Sequence, residues 1–153
     1  MPDRIDWAVR PAERTDRAAW ERLYRTYGEF YGEDLPAERL DRVWGWIHDE
    51  ATIVCLVVVD AENRPVGLAH LRAFARPLAG AVGGYLDDLF VEPAARGTGA
   101  IGAMLEAIRE EGQRRGWSVV RWITAADNDR ARAVYDRVAV ATPWVTYDMA
   151  VPP

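Results

Sequence analysis

Apolar positions recur along this chain with two different spacings, and each spacing predicts a different element. Apolar residues three and four apart, as in Leu40, Val43, Trp44 and Ile47, are typical of the buried face of a helix. Short runs of β-branched and aromatic residues are typical of strands. These patterns predict helices over residues 15–26, 36–48, 99–115 and 128–138, and strands over residues 5–10, 52–59, 66–74, 85–91, 119–124 and 144–149.

The order of these elements indicates the fold class. Two strands joined by a short turn at residues 60–65 favour antiparallel pairing, and the later strand–helix–strand order favours a parallel neighbour. Residues 76–84, rich in glycine and alanine, are predicted to form a loop. We therefore expect an α/β (α+β) fold in which helices flank a central mixed, largely antiparallel sheet, with residues 1–153 forming one domain.

Composition excludes several kinds of chemistry. All 19 basic residues are arginine, which rules out lysine Schiff-base chemistry, and the single serine, Ser118, lies within a predicted strand. The histidines His48 and His70 stand apart from any Cys or His at ligand spacing, so no metal site is expected. A formal charge of −5 argues against a nucleic-acid partner.

The sequence also predicts where the protein works. No apolar run approaches the roughly 18 residues that span a bilayer, and the first residues lack the apolar region of a signal peptide. The single cysteine, Cys55, provides no disulfide framework. We expect a cytoplasmic protein with no membrane partner, and the sequence leaves monomer and homodimer both open.

One glycine-rich segment carries the strongest functional signal. A predicted strand ends at Glu92-Pro93, and the loop Arg96-Gly97-Thr98-Gly99-Ala100 then opens into a predicted amphipathic helix. The first N–H groups of a helix have no helical acceptor, and the helix dipole places partial positive charge beside them. Glycine also lets a phosphate approach the backbone, so the segment predicts a phosphorylated cofactor.

Three interpretations compete for this loop besides a plain turn without ligand. Residues 97–102 satisfy the G-x-G-x-x-G dinucleotide pattern, but the first glycine does not follow the strand directly and too little chain remains for that fold. A nucleoside-triphosphate loop requires a lysine, which the chain lacks. The third interpretation agrees with more of the chain.

The loop and its surroundings resemble the GNAT superfamily of N-acetyltransferases. Its pyrophosphate motif is Q/R-x-x-G-x-G/A, and residues 96–100 fill the first five positions, whereas Ile101 stands where the family usually has Gly or Ala. Three further segments resemble the family in the right order: residues 9–12 with Asp16, residues 85–91, and the N-x-x-A-x-x-x-Y pattern of residues 128–135. The resemblance spans residues 5–150.

The resemblance implies a cofactor and a set of roles. The donor is acetyl-CoA, which transfers its acetyl group to a primary amine by direct attack, without a covalent acyl-enzyme. Tyr135 is implied as the general acid for the departing thiolate, and Asn128 can bind the amide-rich arm of the cofactor. The expected cofactor-binding residues are Leu89, Phe90, Val91, Arg96, Gly97, Thr98, Gly99, Ala100, Ile101 and Asn128.

Acidic and aromatic residues suggest the acceptor. Asp87 and Asp88 lie in the predicted strand 85–91, where adjacent side chains face opposite ways unless a bulge intervenes. A segment rich in carboxylates and rings follows the first helix: Tyr27, Glu29, Phe30, Tyr31, Glu33 and Asp34. These groups favour a small cationic amine, with Tyr31, Glu33, Asp87 and Asp88 as candidate substrate-binding residues, although the acidic segment could equally be a solvated surface.

Other functions remain open from sequence alone. The strand Tyr85–Val91 also resembles that of diamine and polyamine acetyltransferases, but residues 142–145 do not follow that group. Acetylation of a protein N-terminus or lysine is one alternative. A non-catalytic acyl-CoA-binding module is another, which the departure at Ile101 suggests and the presence of Asn128 and Tyr135 argues against.

Overall fold

The computed structural model describes residues 5–153. The chain forms two compact units, one ending at Ile123 and one spanning Thr124–Pro153. The expectation of a single domain stays a prediction. None of the helices within the described residues is both long and apolar enough to cross a membrane.

The first unit contains most of the regular structure. Its strands and helices, in chain order, are β1 (Ala8–Pro11), α1 (Arg17–Phe30), α2 (Ala37–His48), β2 (Val54–Val59), β3 (Pro65–Arg76), β4 (Ala81–Val91), α3 (Ala100–Arg115) and β5 (Val120–Arg121). The second unit contains α4 (Asp129–Tyr135). All four predicted helices are present, although α1 continues beyond the predicted end at residue 26 and α4 is shorter than predicted.

The strands form one sheet in the order β1-β2-β3-β4-β5. Successive strands pair antiparallel as far as β4, and β4 pairs parallel with β5. The prediction of a mixed, largely antiparallel sheet flanked by helices is therefore confirmed. The parallel pair is possible because α3 provides the crossover connection that parallel neighbours require.

Each face of the sheet is covered by a helical layer. Helix α1 packs against β3 and β4, and α3 packs against β1, β2, β4 and β5. Alternation along β2 sends Cys55, Val57 and Val59 into the cluster with Trp20 and the other buried side chains of α1 and α2. Both faces of β2 are buried, which explains why its sequence is a continuous apolar run.

The predicted loop over residues 76–84 is wrong in most of its length. Strand β3 continues to Arg76, a short 3₁₀ turn covers Pro77–Ala79, and β4 begins at Ala81. Gly83 and Gly84 lie in the ladder opposite Phe74 and Ala73. These glycines serve close packing of aromatic rings rather than chain flexibility, because a Cβ at Gly84 would overlap the ring of Trp117.

The two predicted C-terminal strands also differ from expectation. Strand β5 comprises two residues rather than six, and residues 144–149 form no strand. Trp144 and Tyr147 are 81% and 90% exposed. Side-chain preference alone does not make a strand, because its N–H and C=O groups must also find a neighbouring ladder.

The contact between Gly84 and Trp117 generates a stability prediction. Gly84→Ala should lower the free energy of unfolding by about 1–3 kcal/mol, because the added methyl must displace a packed indole ring. Urea denaturation followed by tryptophan fluorescence measures the change. Gly45→Ala in α2 is the matched control, since its Cβ would meet only Asp49 at 3.8 Å. The control should be neutral or stabilising by about 0.5–1 kcal/mol, and equal losses in both variants would contradict the packing account.

Candidate active site

The glycine-rich loop joins the end of β4 to the first turn of α3. The Arg96 side chain folds back, and its Nε donates to the carbonyl oxygen of Val91 at 3.0 Å. Gly97 and Gly99 have φ angles of +74° and +93°, which only glycine adopts without strain. A Cβ at either position would meet no atom within 4 Å, so the space over the loop is open. The first N–H groups of α3 have no helical acceptor and follow this open loop directly.

A second set of contacts fixes the loop from its other side. The Trp7 indole N–H donates to both the carbonyl oxygen and Oγ1 of Thr98 at 3.1 Å. The Thr98 hydroxyl in turn donates to the carbonyl oxygen of Ala95. Ala100 is buried and Ile101 is half-buried at the start of α3. The predicted loop is therefore anchored through Thr98, and its glycines remain uncovered.

Strand β4 enters this loop with one edge lacking a strand neighbour. Its partner β5 pairs only with Gly84 and Tyr85, so from Leu86 onward no strand of the described chain pairs with that edge of β4. Leu89, Phe90 and Val91, the predicted backbone contacts of the cofactor, lie in this stretch. An unpaired strand edge offers N–H and C=O groups to an extended, amide-containing ligand.

A buried chain of hydrogen bonds connects α1 to the sheet. The Trp20 indole N–H contacts Nε2 of His70 at 2.9 Å, and Nδ1 of His70 lies 2.8 Å from Oδ2 of Asp88. The Tyr24 hydroxyl donates to the same Asp88 oxygen at 3.0 Å. Trp20 and His70 are almost fully buried, whereas the Asp88 side chain is 19% exposed. The chain of bonds therefore runs from the core to a carboxylate at the surface of the site.

The electrostatics of this network favour an ionised Asp88. Burial raises the pKa of its carboxyl, but the hydrogen bond from His70, the charge that this ring carries when it is protonated, and the nearby Tyr24 and Tyr27 hydroxyls outweigh burial and hold the pKa below its usual range. Burial and the Asp88 charge raise the pKa values of Tyr24 and Tyr27 well above that of a free phenol. Both tyrosines therefore remain protonated donors at physiological pH.

A bulge in β4 determines where its two aspartates lie. His70 pairs with Asp88 and Leu71 pairs with Leu86, so Asp87 has no partner in β3. Asp87 reaches Arg72 at 2.9 Å, and His70 and Arg72 share a face of β3 because they are two residues apart. Both predicted aspartates therefore contact the same face of β3, through the bulge that the sequence left open.

The predicted acidic and aromatic segment divides into two parts. The rings of Tyr24, Tyr27 and Tyr31 follow one another along α1 and beyond its end, with centroids 6.0 and 5.0 Å apart. Tyr31 is 61% exposed, so the series leads from the Asp88 network to solvent. Glu33 instead lies in an exposed ion pair with Arg39 at 3.4 Å. Of the predicted acceptor residues, the structure brings Asp87, Asp88 and Tyr31 toward one surface, whereas the charge of Glu33 is already paired.

Asn128 and Tyr135 belong to the second unit. Asn128 is the N-cap of α4, where its Oδ1 accepts a hydrogen bond from the Ala131 N–H at 3.3 Å. Tyr135 is the last residue of α4 and is half-buried. The Asn128 side chain therefore has a local structural role in addition to the predicted contact with the cofactor, and the roles of both residues stay predictions.

Sequence reasoning did not find Trp20, His70 and Tyr24 as members of the site. From sequence, His70 was considered only as a possible metal ligand. A signal was nevertheless present, since His70 is the polar residue in the buried, otherwise apolar stretch of residues 65–71 in β3. Such a residue needs a buried partner, but only the pairing of β3 with β4 shows that the partner is Asp88.

Comparison with known proteins identifies the family. Residues 20–139 match the model of the acetyltransferase (GNAT) family. The chain belongs to this family and is an acetyl-CoA-dependent N-acetyltransferase. Membership of this family supports the acetyltransferase interpretation of the glycines in residues 97–102 over the dinucleotide interpretation.

Individual relatives agree with this assignment. The chain is 27% identical over 147 residues to the D-amino-acid N-acetyltransferase HPA3 of Saccharomyces cerevisiae, covering 95% of this chain and 90% of that protein. It shares its fold with a ribosomal-protein-alanine N-acetyltransferase from Brucella melitensis biovar Abortus 2308 (TM-score 0.79, 18% identity, 95% of this chain and 99% of the other). A probable acetyltransferase is also similar (TM-score 0.83, 19% identity, 95% and 97% coverage).

Proposed function

We propose that this enzyme transfers the acetyl group of acetyl-CoA to the primary amine of a small cationic molecule by direct attack. The observation that carries the proposal is the position of Asp88. This ionised, partly exposed carboxylate lies on β4, the same strand that leads into the glycine-rich loop at α3. An anion-binding loop and a cation-attracting carboxylate thus occupy one continuous segment of chain.

The donor side is supported by the loop and the edge of β4. The open backbone at Gly97 and Gly99 suits a pyrophosphate, which the N-terminus of α3 and the exposed Arg96 guanidinium would favour electrostatically. The edge of Leu89, Phe90 and Val91 suits the amide groups of the pantetheine arm. Bound acetyl-CoA supplies the thioester carbonyl that the amine attacks.

The acceptor side is supported by charge and aromatic surface. Asp88 attracts an ammonium group, and Tyr27 and Tyr31 present rings that can cover hydrocarbon or add cation–π attraction. The paired Asp87 and the exposed Glu33 contribute less, because Arg72 and Arg39 offset their charges. The amine must lose a proton before it attacks, so we expect the rate to rise toward alkaline pH.

Tyr135 is proposed as the general acid. The thiolate that leaves the carbonyl needs a proton, and a phenol hydroxyl can donate one. A backbone N–H of β4 would stabilise the carbonyl oxyanion. No covalent acyl-enzyme is invoked, since the buried Cys55 lies in β2 and Ser118 bonds to Arg76 and the Val82 carbonyl.

A D-amino acid is the second candidate acceptor, because the Saccharomyces cerevisiae relative is a D-amino-acid N-acetyltransferase. Its ammonium group would meet Asp88 in the same way, but its carboxylate would then approach an acidic surface. Acetylation of a protein N-terminus or lysine is the remaining enzymatic alternative, and a ribosomal-protein-alanine N-acetyltransferase shares the fold. A non-catalytic acyl-CoA-binding module is the alternative outside catalysis.

An acceptor panel tests the proposal directly. Purified protein is assayed with acetyl-CoA for thiol release in the presence of 1,4-diaminobutane, D-alaninamide, D-alanine and an alanine-initiated peptide. We expect the highest kcat/KM with the diamine and the amide, and an increase in rate from neutral to alkaline pH. Turnover of D-alanine alone would favour the second candidate. Binding of acetyl-CoA without turnover of any acceptor would favour the binding module.

Substitution of a loop glycine tests the donor site. Gly99→Val should raise the KM for acetyl-CoA by about tenfold or more, because its side chain would occupy the space over the backbone where the pyrophosphate is expected. Gly80→Val is the matched control, since Gly80 also has a positive φ with open space around it but lies in the β3–β4 turn. An equal KM in both variants would place the phosphate site elsewhere. Ile101→Gly should be neutral or tighten binding.

The role of Tyr135 is tested by removing its hydroxyl. Tyr135→Phe should lower kcat by about 10²–10⁴, the usual contribution of a positioned general acid, and leave the KM for acetyl-CoA nearly unchanged. Steady-state kinetics at a pH where chemistry limits the rate provides the measurement. Tyr147→Phe, at a tyrosine that is 90% exposed, is the control and should behave as the parent enzyme. An unchanged kcat in Tyr135→Phe would show that the phenol has only a structural role.

A further inference from the structure

We propose that Trp20 holds His70 in its neutral form, so that Asp88 keeps an uncompensated negative charge and serves as the counter-ion for the acceptor's ammonium group. Asp88 is then a specificity-determining residue, whereas Trp20 and His70 are positioning residues that act through it. The inference deepens the proposed function and rests on it for the class of ligand, an alkylammonium ion.

The orientation of the His70 ring follows from its two partners. Both ring nitrogens have a partner, Nε2 with the Trp20 indole at 2.9 Å and Nδ1 with the Asp88 carboxylate at 2.8 Å. A flipped ring would place carbon atoms at both contacts and would lose both bonds. The indole N–H can only donate, so Nε2 must be the acceptor and carry no proton. The remaining proton is on Nδ1, which donates it to Asp88.

Two opposing effects determine the protonation state of His70: the groups that surround the ring, and the direction of its hydrogen bond with Trp20. Burial lowers the pKa of His70, whereas Cys55 and Asp88 raise it, and the balance of these neighbours favours a protonated ring. A proton on Nε2 would, however, point two N–H groups at each other across 2.9 Å, a distance too short for a water molecule to lie between them. The contact with Trp20 is incompatible with the imidazolium, so we assign the neutral ring.

The groups around His70 do not supply another compensating charge. Cys55 lies opposite it on β2, where its Sγ lies 3.8 Å from the Leu56 carbonyl oxygen, and a cysteine carries no positive charge. Tyr24 and Tyr27 face Asp88 from α1 as protonated phenols. From β3, Arg72 is already paired with Asp87.

The remaining nearby cation is Arg17, which lies over the Trp20 ring at 5.6 Å. Its guanidinium is engaged by Glu21 at 3.3 Å and Asp41 at 2.7 Å. Within residues 5–153, the sole basic partner of Asp88 within ion-pair distance is His70. With His70 neutral, the network of Trp20, His70, Tyr24, Tyr27 and Asp88 therefore carries a net charge of −1.

A carboxylate held in this way is suited to bind a cation rather than to remove its proton. The hydrogen bonds that Asp88 accepts from His70 and Tyr24 stabilise its ionised form and make it a weak base. Both donors bond to the same oxygen, Oδ2, which leaves lone pairs on the carboxylate, and 19% of the side chain is exposed to receive a ligand. The rings of Tyr27 and Tyr31 line the approach from solvent.

Nitrogen NMR tests the tautomer without requiring turnover. The chain has two histidines, so ¹⁵N-histidine labelling gives two imidazole spin systems, and a His48→Gln variant assigns them. At about pH 6, where an ordinary imidazole is about three quarters protonated, we expect His70 to be neutral with its proton on Nδ1. An imidazolium signature for His70 at pH 7 would overturn the inference.

Ligand binding tests the charge with the same labelled protein. Titration with 1-aminobutane, which carries an ammonium, is compared with 1-butanol, its neutral isostere. Asp88→Asn should weaken binding of the amine by about tenfold or more and leave that of the alcohol unchanged. Asp49→Asn is the control, because it removes an exposed carboxylate that Arg14 offsets at 2.7 Å and that lies at the end of α2. Equal losses in the two variants would overturn the assignment of Asp88.

Trp20→Phe tests the coupling between the indole and the carboxylate. Loss of the N–H frees Nε2, so His70 should become protonated near neutral pH and amine binding should weaken toward that of Asp88→Asn. If this variant does not fold, the tautomer of His70 in the parent protein and the comparison of the two aspartate variants still test the inference. Amine binding that depends on Asp88 without any acetyl transfer would support the inference and contradict the proposed function. An unchanged rate of acetyl transfer in Asp88→Asn would contradict the inference and support the proposed function.

Discussion

The register between β3 and β4 shifts by one residue between His70 and Leu71, and the geometry of the site depends on this bulge. A regular strand would send Asp87 and Asp88 to opposite faces of the sheet. The bulge instead lets Asp88 meet His70 beneath α1 and lets Asp87 reach Arg72 on the same face. Two adjacent carboxylates thereby acquire different electrostatic states, one neutralised by a guanidinium and one held by neutral donors.

The same region shows how a charge is kept in a mostly apolar layer. An isolated buried carboxylate would become protonated or would destabilise the fold. Hydrogen bonds to Asp88 from His70 and Tyr24 replace part of the water that burial removes, and the almost fully buried Trp20 donates to the far side of His70. Polar groups connected in this way fix the relative position of α1 and the sheet, because a shift of either would leave a buried donor unpaired.

Backbone availability is the second constraint on the site. Strand β5 stops after two paired residues, so β4 reaches the loop at Gly97 and Gly99 with an unpaired edge. Gly97 and Gly99 have positive φ values that favour glycine, so no side chain of their own covers the backbone there. A strand edge and a helix N-terminus therefore lie on one segment of chain, separated by the glycine-rich loop, and both offer polar backbone groups to an extended ligand.

The local elements of this protein were largely predictable from sequence. The periodic spacing of apolar residues located α2 and α3. Gly99 and Gly116 flank α3, where their conformational freedom allows the helix to begin and to end. The order of motifs also indicated the family, since the loop at residues 96–100 lies on a strand–turn–helix segment that residue types alone specify.

Pairing between distant segments was decided only by the tertiary structure. The sequence around Gly83 and Gly84 predicted a loop, because composition does not show that the rings of Phe74 and Trp117 occupy the space where side chains would lie at these positions. Residues 144–149 resembled a strand because β propensity does not show whether a ladder is available. His70 and Asp88 are 18 residues apart in the chain, and a one-residue bulge brings them to 2.8 Å. Local sequence determines which backbone shapes are favourable, whereas the partner of a buried polar group depends on the register of the sheet.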